Sequence, residues 1–308
     1  MDRPAFEREE TDMSYTFASS DPSVEAGLRR IALDQLGRAL SSMDSCDEDL
    51  HEAVHDARKR CKKLRGLVRL VRPAFPDYSA ENAALRDAAR RLSRFRDRTA
   101  MLETFDRLAD ALGARLDADA TAPLREALED RRARAAEDPE LTETLAAFRQ
   151  DLEDARDRAA KWSLDDDGFD AVAGGIAKTY KRARKAMRRA EQSGHAEDMH
   201  DWRKRVKYHW YHARLLSDIW PAMMDAHVDV ADDLSDALGD HHDLAEFRVL
   251  LQDPSLPAAG RHALFEPARD EMDRLESHAF ALGARLLAEK PKPLVKRWGK
   301  WWDIWQDA

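Results

Sequence analysis

Apolar residues recur three and four positions apart along nearly the whole chain and nowhere alternate with period two, so the pattern predicts helices and no sheet. Across residues 48–72, Val54, Ala57, Cys61, Leu64, Val68 and Val71 fall on one seam of a helix. Met199, Trp202, Val206, Trp210 and Ala213 form a like seam within 196–219, and Ile176, Tyr180, Ala183 and Met187 form one within 169–192. Punctuation bounds the rest. Asp21-Pro22 opens a helix over 22–43 with Pro at its first position, Pro73 and Pro76 close 48–72, and a third helix runs 80–112 to Gly113. Pro123 and Pro139 delimit 122–137 and 140–162, readable as one broken helix or two. Further helices are expected over 222–251, 258–289 and 291–306. The polar run Ser163-Leu-Asp-Asp-Asp-Gly168 interrupts this patterning and reads as a linker.

Composition agrees with an all-α fold: Gly and Pro number only 12 each in 308 residues, and aromatics make up 7 %. Two cysteines, Cys46 and Cys61, are too few for a disulfide framework or a four-ligand zinc site, and favour a reducing, cytoplasmic setting. The first twenty residues hold no apolar stretch of signal-peptide length, and no eighteen apolar residues run together, so neither a secretory address nor a membrane span is expected. The net charge of −9 would argue against an anionic ligand if it were evenly spread. It is not: the windows 55–72, 86–98, 178–189 and 200–214 together carry +22, leaving −31 on the other 250 residues. Such segregation points to an anion site.

An internal repeat sharpens this. His55-Asp-Ala-Arg-Lys-Arg-Cys-Lys-Lys-Leu-Arg-Gly-Leu-Val-Arg-Leu-Val71 lies 145 residues before His200-Asp-Trp-Arg-Lys-Arg-Val-Lys-Tyr-His-Trp-Tyr-His-Ala-Arg-Leu-Leu216, with eight of seventeen positions identical. The same offset places Ile31-Ala32 over Ile176-Ala177, and Leu92-Ser-Arg-Phe-Arg-Asp97 matches Leu238-Gly-Asp-His-His-Asp243 more loosely. The halves read as duplicated helical bundles. At 100° per residue, His55, Arg58, Lys62, Arg65 and Arg69 share one flank of the first seam, and His200, Arg203, Lys207 and Arg214 share the same flank of the second. Lys181, Arg184 and Arg188 flank the seam of 169–192. Like charges at i, i+4 destabilise a helix, and a polyanion offsets that repulsion through charge-assisted bonds. The bland alternative is that these long side chains pair with the many acids of neighbouring helices. His55 and His200 occupy equivalent places; a histidine donating to phosphate would have its pKa raised from about 6.5, so binding is expected to weaken as pH rises.

Other chemistries are weaker. His209 and His212 are one turn apart and His241-His242-Asp243 are contiguous, but no His-Glu-x-x-His or Cys-x-x-Cys pattern supports a metal. His-Asp at 55, 200 and 242 is reminiscent of helical metal-dependent phosphohydrolases, yet the basic rows beside it suit a divalent cation poorly. No Gly-rich phosphate loop or nucleophile elbow is present, so neither catalysis nor a cofactor is expected. Trp298, Trp301, Trp302 and Trp305 crowd the last helix and read as a face that closes a bundle, with partner or granule contact as the alternative.

The paired motifs resemble the CHAD family, an all-helical domain named for its histidines. The resemblance runs from Met13 to Gln306 and rests on His55-x-x-Arg58 with Lys62-Lys-Leu-Arg65, on Gly175-Ile-Ala-Lys-Thr-Tyr-Lys-Arg-Ala-Arg184, on His200-Asp-Trp-Arg-Lys-Arg-Val-Lys207 with Trp210-Tyr211, and on Leu238-Gly-Asp-His-His-Asp-Leu244. It implies two four-helix bundles related by a pseudo-twofold, with a basic groove or pore between them that binds inorganic polyphosphate, and association with polyphosphate or polyester storage granules. The division it implies is a disordered tail over 1–12, a first half over 13–162, the linker 163–168 and a second half over 169–306. The implied polyphosphate contacts are His55, Arg58, Lys59, Lys62, Arg65, Arg69 and Arg96, with Lys181, Arg184, Arg188, His200, Arg203, Lys204, Lys207 and Arg214. Two departures stand out. Trp210 replaces the equivalent of Arg65, and the acidic segment Asp232 to Asp240 replaces a basic helix, so the halves are expected to contribute unequally. Glu7-Arg-Glu-Glu-Thr11 lacks the Lys of a triphosphate-tunnel opening, which favours a stand-alone binding domain. Nucleic acid is disfavoured as the ligand, because nothing suggests base readout or stacking. A metal-dependent phosphohydrolase and a granule-coat protein remain the alternatives.

Overall fold

A computed structural model describes residues 15–44, 46 and 49–308, apart from the side chains of Arg94 and Arg96. The expected 1–12 tail and the Arg96 contact therefore lie outside the described residues. The chain folds into α1 (Val24–Asp44), α2 (Leu50–Leu70), α3 (Tyr78–Arg91), α4 (Ser93–Leu112), α5 (Ala118–Ala136), α6 (Leu141–Ala159), α7 (Gly168–Ser193), α8 (Ala196–Leu215), α9 (Pro221–Leu250), α10 (Ala258–Leu286) and α11 (Pro291–Gln306). Among the described residues there is no strand, so the all-α expectation holds. Asp49 caps α2 by accepting from the His51 and Glu52 N–H groups at 3.0 and 3.1 Å, and Gly194, at φ 64°, ends α7 in the left-handed conformation.

Three boundaries differ most from expectation. Helix α5 starts at Ala118, four residues before the expected 122, so Pro123 lies inside it rather than at its edge. The helix expected over 80–112 is two, broken at Leu92, whose side chain is fully buried. No Gly or Pro marks the break; the turn lets Leu92 and Phe95 enter the core. Pro22 precedes α1 rather than opening it. The first helical N–H, that of Val24, is capped by Asp167 Oδ1 from across the molecule at 2.7 Å. The 163–168 segment is thereby tied down, with Leu164 N–H donating to Glu25 and Asp165 N–H to the Ala74 carbonyl.

Helices α1, α2, α3 and α6 pack around one another, and α7, α8, α9 and α10 form a second group. The α4–α5 hairpin leaves the first group and packs on α9 and α10. Every residue of the expected α2 and α8 seams is buried. The groups meet where α2 touches α7 and α8, and two glycines permit the approach. A Cβ on Gly175 would lie 1.7 Å from the Leu70 carbonyl oxygen, and one on Gly66 would lie 2.8 Å from the Tyr211 side chain. Helix α11 covers α7, burying Trp298 and Trp302 and leaving Trp301 and Trp305 partly exposed.

Candidate anion-binding site

The crossing of α2 with α7 and α8 gathers arginines from three helices. From the C-terminal half of α2 come Arg65 and Arg69, from the turn that follows it Arg72, from α7 Arg182 and from α8 Arg205; the aromatic Tyr208 of α8 and the α3 residues Tyr78, Asn82 and Arg86 complete the surroundings. Their neutral partners distinguish them. Arg65 donates to Asn82 Oδ1 at 3.4 Å, Arg69 to the Tyr78 hydroxyl at 3.0 Å and Arg72 to Thr179 Oγ1 at 3.2 Å. The Arg69 guanidinium also lies 4.3 Å above the Tyr208 ring. Elsewhere arginines find carboxylates: Arg30 with Asp21, Arg158 with Glu81, Arg131 with Asp253.

The cationic forms are strained accordingly. Burial pushes Arg72 down to about 10, and Arg182 and Arg69 add repulsion. Arg65 and Arg205 are lowered by burial first; Arg69 and Arg86 repel Arg65, and Arg182 and Arg69 repel Arg205, while Tyr208 opposes the shift in both and the Asp201 carboxylate opposes it at Arg205. Three guanidinium groups bonded to neutral partners, Arg65, Arg69 and Arg72, with Arg182 and Arg205 adding to the repulsion around them, form a ready acceptor for a multivalent anion.

The sequence-selected residues divide. Arg65 and Arg69 lie in the cluster, and Arg58 stands further along the same flank, donating to the Ala89 carbonyl of α3. His55 sits 3.8 Å from Glu52, and Lys62 is exposed. Lys59 turns away toward Asp56, whose pKa it helps to lower. On α7, Lys181 and Arg188 are exposed, whereas Arg184 faces the phenol of Tyr180 beside Glu289 and Arg297. It is Arg182, one residue past Lys181, that joins the cluster. Arg72, Arg182, Arg205 and Tyr208 were missed, although the three arginines lie inside the basic windows.

The corresponding flank of α8 meets acids. Lys207 Nζ lies 3.6 Å from Asp232 and 4.0 Å from Asp236 of α9, and 3.8 Å over the Trp210 ring. Lys204 pairs with Asp201, and Arg107 of α4 reaches Asp240 and Asp243 at 3.5 and 3.2 Å. Arg203 packs against Gly239, and Arg214 contributes to the field at Asp232. Burial raises Asp232 to about 6, against the pull of Lys207 and with Asp236 adding repulsion. His200 lies against His242 with ring centroids 3.9 Å apart and the rings tilted by 38°. Burial, then His242, Lys204 and Arg203, depress its pKa to about 4. His209 and His212 serve packing: His209 Nε2 is 2.8 Å from His227 Nε2, and His212 Nε2 is 3.2 Å from the Gly66 carbonyl. No group of three or more His, Cys, Asp or Glu able to hold a metal ion occurs among the described residues.

Comparison with curated proteins finds no match. The crystal structure of the CHAD domain from the plant Ricinus communis is similar to this chain with a TM-score of 0.58 and 17 % identity, over 89 % of this chain and 96 % of that one. The CHAD domain family model matches residues 30–252, a stretch running from within α1 to just beyond α9. With the model spanning most of its length, the chain belongs to the CHAD domain family.

Proposed function

We propose that this protein binds inorganic polyphosphate along the arginine cluster where α2 crosses α7 and α8. CHAD domains are associated with polyphosphate binding and are generally binding domains rather than catalysts. The observation that carries the reading here is the set of guanidinium groups with neutral partners, Arg65, Arg69 and Arg72, repelled by Arg182 and Arg205. A chain of phosphates bridges cations whose hydrogen bonds at Arg65, Arg69 and Arg72 go to an amide, a phenol and a hydroxyl. Arg58, Lys62 and His55 extend the row along α2, and the halves 13–162 and 169–306, copies of one bundle, hold the basic groove between them. The same binding carries the protein to polyphosphate granules.

Calorimetric titration with long-chain polyphosphate, tripolyphosphate and single-stranded DNA at several salt concentrations tests this. Log affinity for long polyphosphate should fall against log salt with a slope of about −0.7 per phosphate contact, taking the single-strand value. At roughly 1.5–3 kcal/mol for each charge-assisted bond, Arg65→Ala/Arg205→Ala should weaken binding about 100-fold or more. Equal binding of all three polyanions, or a double variant that binds like the wild type, would sink the proposal.

A further inference from the structure

The outer face of α11 carries a lysine row outside the four basic windows, with Asp303 on the same side three residues after Lys300. Lys292, Lys296 and Lys300 recur at i, i+4, i+8, and beside them run Pro293, Arg297 and Trp301 at the same spacing. Pro293, Lys296, Arg297, Lys300 and Trp301 line one open groove. The helix cannot turn this face inward. Leu294, Trp298 and Trp302 are buried on the opposite side, and Gly299 is pressed so close to Phe169 that a Cβ there would come within 2.8 Å of its ring.

Two of the four large apolar side chains left exposed among the described residues, Ile304 on α11 and Trp220 against Trp301, lie beside the cations, and Met223 follows Trp220 by three residues. Ile304 is 68 % exposed, Met223 48 % and Trp220 46 %, and Trp220 meets Trp301 edge-on with ring centroids 5.0 Å apart. Arg297 donates to Glu289 at 2.6 Å and lies 4.8 Å over Trp301, which fixes that indole at the rim of the groove. The patch thus combines a lysine row with two tryptophans and two aliphatic side chains. A free polyphosphate would satisfy the lysines but leave Trp220, Met223 and Ile304 in water. An anionic lipid surface offers phosphates at the depth of the lysines and an apolar layer beneath them, the arrangement that tryptophan and lysine together favour at membrane interfaces.

We infer that the α11 face, Lys292, Lys296, Lys300 and Trp301 with Trp220, Met223 and Ile304, is a peripheral docking surface for anionic lipid bilayers. No helix of the described residues is long and apolar enough to cross a membrane, so the contact is superficial. Such docking runs against the expectation from the sequence that no membrane is a partner of this protein. The surface lies on α11, which packs against α7 and the Ser217–Ile219 turn, whereas the arginine cluster centres on the end of α2, where α2 packs against α7 and α8.

Flotation of the full chain with vesicles of phosphatidylcholine, and of an equal mixture of phosphatidylcholine and phosphatidylglycerol, tests the inference. The wild type should float with the anionic vesicles only, and high salt should release it. Lys296→Gln/Lys300→Gln should weaken partitioning roughly 30-fold, from about 1 kcal/mol per lysine near an anionic surface. Ile304→Ser, which changes a side chain already in solvent, should weaken it several-fold without loss of helicity. Each variant is also titrated with polyphosphate. The lysine pair should keep wild-type polyphosphate affinity, and Arg65→Ala/Arg205→Ala should keep wild-type flotation, so the two readings fail independently. No flotation, equal flotation on neutral vesicles, flotation indifferent to both α11 variants, or a lysine pair that loses polyphosphate rather than vesicles would each overturn the inference.

Discussion

The flank of α2 that faces α3 and the flank of α8 that faces α9 carry one repeated sequence motif, yet they end in opposite electrostatic states. On α2, Arg58 donates to a backbone carbonyl, Arg65 to an amide and Arg69 to a phenol. On α8, Lys207 meets Asp232 and Asp236 within 4.0 Å, and Trp210, standing where α2 has Arg65, serves as a platform for the Lys207 ammonium. The helix that carries the cations is alike in the two halves; the helix opposite differs. An acidic stripe on α9 meets the cations of one flank directly, while the one α3 carboxylate that acts on Arg65, Asp87, is bonded to Arg86 and shared with Arg90, and Arg182 and Arg205 add further positive charge. A repeated basic helix therefore does not by itself make an anion site; its neighbours decide whether the charge is spent internally.

Breaking the contact between α2 and α7 should have the largest effect. Gly175→Ala drives a methyl group into the Leu70 carbonyl, and overpacking of this kind costs about 1–3 kcal/mol or more. Chemical denaturation should show that loss, and the variant should bind polyphosphate more weakly because Arg182 and Thr179 move away from Arg72. Unchanged stability would mean that the helices do not approach as closely as described.

Removing the acids of α9 sharpens the comparison. Asp232→Asn/Asp236→Asn frees Lys207 and should raise polyphosphate affinity by roughly tenfold, the value of one to two kcal/mol of relieved competition. The pH dependence has a definite sign. Burial raises Asp232 to about 6, above its unfolded value, so its carboxylate weakens the fold as pH rises from the usual aspartate range to about 6, and competes for Lys207 above that. Polyphosphate affinity should accordingly increase as pH falls through about 6 in the wild type, and that increase should disappear in Asp232→Asn. His200, held near 4, contributes little over that window. Isotherms that are flat with pH in both proteins would remove Asp232 from the account.

The smallest effect is expected at Arg188, exposed on α7 and not among the clustered arginines. Arg188→Ala should change stability and polyphosphate affinity by less than about twofold, as lone surface charges do. A large loss of affinity would show that the site extends along α7 beyond Arg182.

Much of the fold was legible because helical periodicity is a local property. Val54, Ala57, Cys61, Leu64, Val68 and Val71 were placed on one seam by spacing alone, and all are buried. The break at Leu92 was not legible, since it carries neither Gly nor Pro and serves a burial imposed by other helices. The site was half legible. Arg65 and Arg69 were assigned by their angle on α2, but that rule selected Lys181 and Arg184 on α7, where Arg182 is the residue that meets Arg205 and Arg72. An angle on a helix says which residues share a side, and not which helix lies across from it.

The sequence by itself determined the helices, their buried seams and the segregation of positive charge, because each depends on residues within a few turns of one another. Only the tertiary structure decided that the ends of α2, α7 and α8 meet through Gly66 and Gly175, that the α9 acids face Lys207, and that α11 turns its lysines outward. Those outcomes depend on contacts between residues more than a hundred positions apart in most cases, where steric fit and the partners of each charge are set by packing rather than by local pattern.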